Sequence, residues 1–333
     1  MDVRRDVVVI GASAGGLQAL QQLVARLPGD LAASVLVVVH LPPAAPSRLA
    51  DILAKAGRLP ATTATDGQRL APGCIYTAVP NRHLLIGEHD LVRLSRGPRE
   101  NRVRPAVDPL FRAAARWCGP RVIGVVLSGT LDDGAAGLAA IAERGGAVLV
   151  QSPQDARFDG MPKAALAAVP AAAALPAAQL AQVITEMVGQ PVDPRIDDPN
   201  DALIWETEIS AYGVSTAPQS GQPVGLGCPE CGGGMSVVHT GNAVHYVCHT
   251  GHSYAPQTLL AARDDTVESA LWTAISAMQE KCAVLTDLAD RARLAGDHDG
   301  HHHHHAAAER VRHASELLRT QLLSDDRSPR LSR

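Results

Sequence analysis

The stretch that most constrains the fold runs from Asp6 to Leu20 and reads DVVVIGASAGGLQAL. Val7 to Ile10 is apolar on both faces and rich in β-branched residues, the pattern of a central strand in a parallel sheet. Gly11-Ala12-Ser13-Ala14-Gly15-Gly16 follows, and then Leu17, Leu20 and Leu23 recur at helical spacing. A strand, a tight glycine turn and a helix in such short order open an α/β domain, with Ser13 at the apex of the turn.

Two chemistries fit that turn. In Gly-x-Ser-x-Gly form, Gly11, Ser13 and Gly15 make a nucleophile elbow that pushes the Ser13 hydroxyl into the open. A dinucleotide loop would need glycine at position 13, where the backbone must approach a pyrophosphate. Ser13 stands there instead, and no acidic residue closes the next strand. A purely structural turn is the third reading.

The later strands bring further chemistry to the same sheet edge. Ser34 to Val39 is again almost wholly apolar and ends in His40. Arg121 to Ser128 is a third buried strand, opening into Gly129-Thr130-Leu131-Asp132-Asp133-Gly134. One of these two acids caps the following helix and the other is free for chemistry. Between these strands, Pro98 to Asp108 is polar and basic, with Arg99, Arg102 and Arg104. It reads as a solvated loop or as a loop over the rim of a site, with Asp108 as N-cap of a helix running to about Trp117. Ala147 to Gln151 is a further strand, and helices are expected at Met161 to Val169 and Ala177 to Val188. Strands alternating with helices predict an α/β domain with a doubly wound, mostly parallel sheet. Its strand ends supply Ser, His and Asp, the groups of a triad: a hydroxyl, a base neutral near pH 7 and a carboxylate to orient it. Backbone N–H groups of the glycine turns, particularly after Ser13, would form an oxyanion hole.

Five pieces, in order, carry a resemblance: GASAGG (11–16), VVVHLP (37–42), RPAVDPLFR (104–112), VVLSGTLDDGAAGL (125–138) and GMPKAAL (160–166). Residues 6 to about 188 resemble the catalytic domain of the chemotaxis protein-glutamate methylesterases. The resemblance implies a Rossmann-like methylesterase domain with Ser13 as nucleophile, His40 as base and Asp133 as orienting carboxylate. It implies oxyanion donors at the backbone N–H groups of Ala14 and Thr130. The implied reaction is hydrolysis of glutamate γ-methyl esters on chemoreceptor-type proteins, in some members also glutamine deamidation, through an acyl-serine and with no cofactor. Two departures stand out. Leu131 occupies a place where the family usually has glycine, and only five residues precede the first strand, where usual members carry a receiver domain. A stand-alone esterase without phosphorylation control in cis is therefore expected.

The carboxyl-terminal third changes character. Residues 190–224 contain Pro191, Pro194, Pro199, Pro218 and Pro223 and read as a linker after a 1–189 catalytic domain, with Ala202 to Tyr212 open to packing on a neighbour. Within 225–260, Cys228-x2-Cys231 precedes Cys248-x3-His252, a four-ligand spacing for a structural zinc ribbon. A reduced cysteine cluster is the alternative, and His249 competes with His252 as fourth ligand. Residues 261–325 read as a helical hairpin broken by a polar loop at Asp297 to His305. Its apolar face suits packing on the same chain, dimerisation or a protein partner.

Composition excludes several classes. The net charge of −4, with no extended basic face, argues against nucleic-acid binding. No apolar run reaches the roughly 18 residues of a membrane span, and no signal-peptide core precedes the first strand. A cytoplasmic protein with no membrane insertion is expected, its partner a methylated chemoreceptor or related sensory protein. Two rivals remain: a non-enzymatic sensory scaffold that keeps the esterase fold, and a nucleotide-binding α/β protein.

Overall fold

The computed structural model describes residues 3–40, 46–193 and 198–325. The chain divides into two compact units, Met1–Leu259 and Leu260–Arg333.

In the first unit the elements follow in the order β1 (Val7–Ala12), α1 (Gly16–Val24), β2 (Ser34–Val39), α2 (Leu49–Ala56), β3 (Ala61–Thr63) and β4 (Ile75–Thr77). A hairpin of β5 (His83–Gly87) and β6 (Leu91–Ser95) leads to α3 (Val107–Cys118). Then come β7 (Val122–Val126), α4 (Ala135–Glu143), β8 (Ala147–Gln151), α5 (Gly160–Ala168), β9 (Ala173–Leu175) and α6 (Ala177–Met187).

Seven strands form one sheet in the order β3-β4-β2-β1-β7-β8-β9, every neighbouring pair parallel. The expected doubly wound sheet is present. β1 lies at its centre because all six of its residues are buried and neither face can be left to water. Alternate side chains feed two cores. Val8, Ile10, Val35 and Val37 pack with Leu20, Leu23, Leu53 and Ile184, while Val7, Val9, Leu36 and Val38 pack with Leu110, Phe111, Leu138 and Met161. Each such aliphatic side chain contributes about 1.5–3 kcal/mol of burial. The chain leaves β1 toward β2 and later returns on its other side with β7. The carboxyl ends of β1, β2 and β7 therefore meet at a topological switch point, where open α/β sheets form their sites.

Within 190–224, expected as a linker, α7 (Asp201–Tyr212) is a capped helix. The Asn200 side chain accepts from Leu203 N at 2.8 Å, and Gly213 closes it in the left-handed conformation (φ 76°). Proline content hid a helix whose Trp205 and Ile209 pack on Val238 and Val247. Those valines belong to an antiparallel sheet of β10 (Gln222–Gly227), β11 (Gly234–Thr240), β12 (Ala243–Cys248) and β13 (Ser253–Tyr254). A buried ionic network joins this sheet and α7 to α3. Arg112 pairs with Glu100 and faces Glu206 at 3.8 Å, and His245 hydrogen-bonds the same Glu206. Breaking one member of such a network costs about 3–5 kcal/mol, because its partner stays buried and charged.

The second unit holds most of α8 (Pro256–Leu294) and all of α9 (His298–Asp325). The polar loop expected at 297–305 is instead a short turn. Gly296 ends α8 in the left-handed conformation, and the Asp297 carboxylate accepts from Gly300 N at 2.8 Å. With Asp297 as cap, the histidine run is carried inside α9. Among the described residues no helix is long and apolar enough to cross a membrane.

Candidate active site

Ser13 follows the last residue of β1. Its N–H donates to Ser128 O at 2.9 Å, its carbonyl accepts from Gly16 N at 3.0 Å, and Gly15 completes the turn at φ 71°. Gly16 is required by close approach: a Cβ there would lie 2.9 Å from Ser128 O. The Ser128 hydroxyl donates to Ala14 O at 2.9 Å and accepts from Phe158 N at 3.0 Å, so the residues after β7 clamp both sides of the elbow. The N–H groups of Ala14 and Thr130 donate to no protein acceptor among the described residues, which leaves them free for a ligand oxygen. Leu131 takes a left-handed conformation (φ 62°), one that glycine adopts without cost.

His40 directly follows β2, its N–H reaching Ala12 O, one residue before Ser13, at 3.3 Å. Its ring Nε2 lies 2.6 Å from Asp133 Oδ2. With the carboxylate at Nε2, the proton sits on that nitrogen and Nδ1 is left as the acceptor. This reverses the usual use of the two nitrogens in a Ser-His-Asp triad. No hydrogen bond joins Ser13 to His40 among the described residues; such bonds commonly tighten only around substrate.

Asp133 is buried, and protein donors surround its carboxylate. Besides His40, it accepts from Val107 N at 2.7 Å, Asp108 N at 3.2 Å and Asn101 Nδ2 at 3.0 Å. Val107 and Asp108 open α3, so the carboxylate also sits on the positive end of a helix. Burial alone would raise its pKa, but the His40 contact and these donors outweigh burial and hold it well below the ordinary carboxylate range. Asp108 was expected to cap α3. It lies instead inside the first turn, where Oδ1 accepts from Gly137 N at 2.7 Å, and Asp133 caps the helix from a distant part of the chain. Burial, then the neighbouring Asp133 charge, pushes the Asp108 carboxyl well above its ordinary range.

Neither acid of the Asp132-Asp133 pair caps α4 with its side chain. Asp132 caps α8, accepting from Gln257 N at 2.8 Å and Thr258 Oγ1 at 2.7 Å. Asn101, in a stretch that reads as a polar loop, is buried and touches both Asp133 and Asp108. No motif or periodicity marks Asn101, since every group it serves is distant in sequence or set by the fold.

The second cluster lies in the antiparallel sheet. Ligand atoms of Cys228, Cys231, Cys248 and His252 all lie within 4.8 Å of one another, as the spacing predicts. His249 is outside this group, its ring stacked against Gly233. Glu230 Oε2 holds His252 Nε2 at 3.3 Å, which turns Nδ1 toward the sulfurs, 3.6 Å from Cys248 Sγ. A carboxylate orienting a histidine in this way is the usual outer support of a metal ligand. The donor set, three sulfurs and one imidazole, suits a borderline-soft ion such as zinc and leaves no open position for catalysis.

Known proteins share the fold that carries this geometry. The model of the CheB methylesterase family matches residues 8–184. The chain belongs to the CheB methylesterase family. Protein-glutamate methylesterase/protein-glutamine glutaminase 1 of Geobacter metallireducens is 39% identical over 164 residues, covering 48% of this chain and 45% of the relative. The second such enzyme of Caulobacter vibrioides is 37% identical over 183 residues, covering 54% and 53%. The chain thus spans about half the length of the curated relatives it matches. The catalytic domain of Thermotoga maritima CheB methylesterase superposes with a TM-score of 0.53 at 32% identity, over 56% of this chain and all of that one.

Proposed function

We propose that the chain is a serine hydrolase that removes methyl groups from glutamate γ-methyl esters of chemoreceptor-type proteins and also hydrolyses glutamine side-chain amides. The observation that carries this reading is the 2.6 Å His40–Asp133 pair at the sheet edge that also holds the Ser13 elbow. The relatives' names supply the substrate class.

In this mechanism Ser13 Oγ attacks the ester carbonyl as His40 Nδ1 takes its proton, and Asp133 stabilises the resulting imidazolium. The carbonyl oxygen collects negative charge and is received by the N–H groups of Ala14 and Thr130. The C–O bond to methoxide breaks, His40 returns its proton, and methanol leaves an acyl-serine. Water, deprotonated by His40, then releases glutamate. A glutamine amide follows the same course and yields ammonia. We assign this work to residues 1–189, a structural zinc ion to Cys228, Cys231, Cys248 and His252, and a cytoplasmic setting to the whole. The six free cysteines suit a reducing compartment. A nucleotide-binding role would leave the His40–Asp133 pair without a purpose.

The test is methanol release from a methylated receptor fragment. The native chain should release methanol and Ser13→Ala should lose at least about 10³-fold. Equal release by both proteins would remove Ser13 from the mechanism, and silence in both would favour the scaffold reading.

A further inference from the structure

Asn101 stands between the two clusters described above. Its backbone takes a left-handed conformation (φ 50°) and its N–H donates to Ser253 O at 2.8 Å, while Ser253 N reaches Arg99 O at 3.4 Å. These contacts pair the 99–101 segment with β13, which begins one residue after His252. The side-chain amide is oriented by the residue that follows this strand. Its Oδ1 accepts from Ala255 N at 2.8 Å, which fixes the oxygen on that side and turns the NH₂ toward Asp133 Oδ1 at 3.0 Å and Asp108 Oδ2 at 3.3 Å. An asparagine is the right residue here. A carboxylate at 101 could still accept from Ala255 but would face two further acids with no proton to give.

We infer that Asn101 is a positioning residue for the Asp133 carboxylate, and that the Cys228-Cys231-Cys248-His252 module, when it holds a divalent metal, keeps Asn101 in register through β13. Cys248 ends β12 and His252 abuts β13, so closing a metal shell around both pins the turn between them. Without the metal, that turn keeps Cys248 N to His252 O at 3.0 Å, Gly251 N to Cys248 O at 2.8 Å, the Thr250 hydroxyl against His252 Nδ1 at 3.1 Å and the Glu230–His252 pair, but loses the bonds that join Cys248 and His252 to Cys228 and Cys231. Loss of register at Ser253 and Ala255 removes the two contacts that orient Asn101, and Asp133 loses one of its four donors. His40 is then less well held for its proton transfer from Ser13. The module is in this sense a metal-dependent support of the active site.

The inference rests on the serine-esterase reading, so its test uses a probe of Ser13 that needs no receptor substrate: the rate of covalent labelling by a fluorophosphonate, read by intact mass on the full chain. The metal content is measured before and after treatment with a chelator, and Ser13→Ala is the blank. In the zinc-loaded protein, Asn101→Ala should slow labelling by about 10- to 100-fold, the scale of one hydrogen bond to a buried charge. The loss should fall on the maximal labelling rate and not on probe affinity, with a melting temperature within a few degrees of the native chain. Asn101→Asp, which keeps the acceptor for Ala255 and drops the donor to Asp133, should be slowed as well; a merely structural role predicts native labelling there. Chelation should slow the native chain by a similar factor and change Asn101→Ala by less than about twofold, because both act through one contact. Native labelling rates in Asn101→Ala or Asn101→Asp would overturn the positioning role. Equal slowing of the native chain and Asn101→Ala by chelation, or a chain that labels fully without metal, would overturn the coupling. A native chain that is never labelled at Ser13 would defeat the esterase reading, and the inference with it.

Discussion

The Ser13 elbow and the Asp133 carboxylate serve one site but are built in opposite ways. The elbow is local: a buried strand, glycines at 11, 15 and 16 and a helix start force the turn within a few residues. The carboxylate is assembled from afar. Its donors come from residues 40, 101, 107 and 108, and its neighbour Asp132 is committed to residues 257 and 258. A local turn announces itself in sequence. A solvation shell gathered from several elements does not, even when each member is an ordinary polar residue.

The contrast predicts how each region breaks. Asp133→Asn should have the largest effect, lowering kcat for ester hydrolysis by about 10³- to 10⁴-fold by destroying the orientation and charge at His40. A loss under tenfold would mean that His40 works without a carboxylate. Gly16→Ala should be next in size. In an open helix the change would stabilise by up to about 1 kcal/mol, but here the added methyl meets Ser128 O, and a cost of about 1–3 kcal/mol is expected in urea unfolding. A more stable variant would show that the elbow tolerates a wider turn. Asp132→Ala, one residue from the proposed triad acid, should cost about 1–2 kcal/mol through loss of the α8 cap while lowering kcat less than tenfold. Matching losses in Asp132 and Asp133 variants would erase the division of labour between the two acids. Leu131→Gly should raise stability by less than about 1 kcal/mol, since it trades left-handed strain against unfolded-state entropy. A lower melting temperature would show that the Leu131 side chain has a packing role.

The order in which information could be read from the chain follows the same division. The parallel sheet, the three strand ends and the four-residue cysteine–histidine set were legible, because each is fixed by periodicity or by spacing within a few residues. The resemblance supplied what spacing could not, the choice of Asp133 over Asp132. The structure adds the physical reason: one acid points at His40 and α3, the other at α8. Asp108 misled because an acid before a helical proline looks like a cap, whereas the cap came from residue 133. Helix α7 was obscured by flanking prolines, and the α8–α9 turn by a histidine run whose helical state depends on the Asp297 cap.

The central place of β1 also orders events during synthesis. Val7 to Gly11 pair in parallel with Val122 to Val126, and the Ser13 N–H is satisfied by Ser128. Ser13 is synthesised well before the strand that holds it, which lies more than a hundred residues further on. Until then β1 can pair with β2, but its other edge has unpaired backbone. The earliest-made part of the proposed site thus waits for a later strand, and appearance of a reactive Ser13 would report the docking of β7.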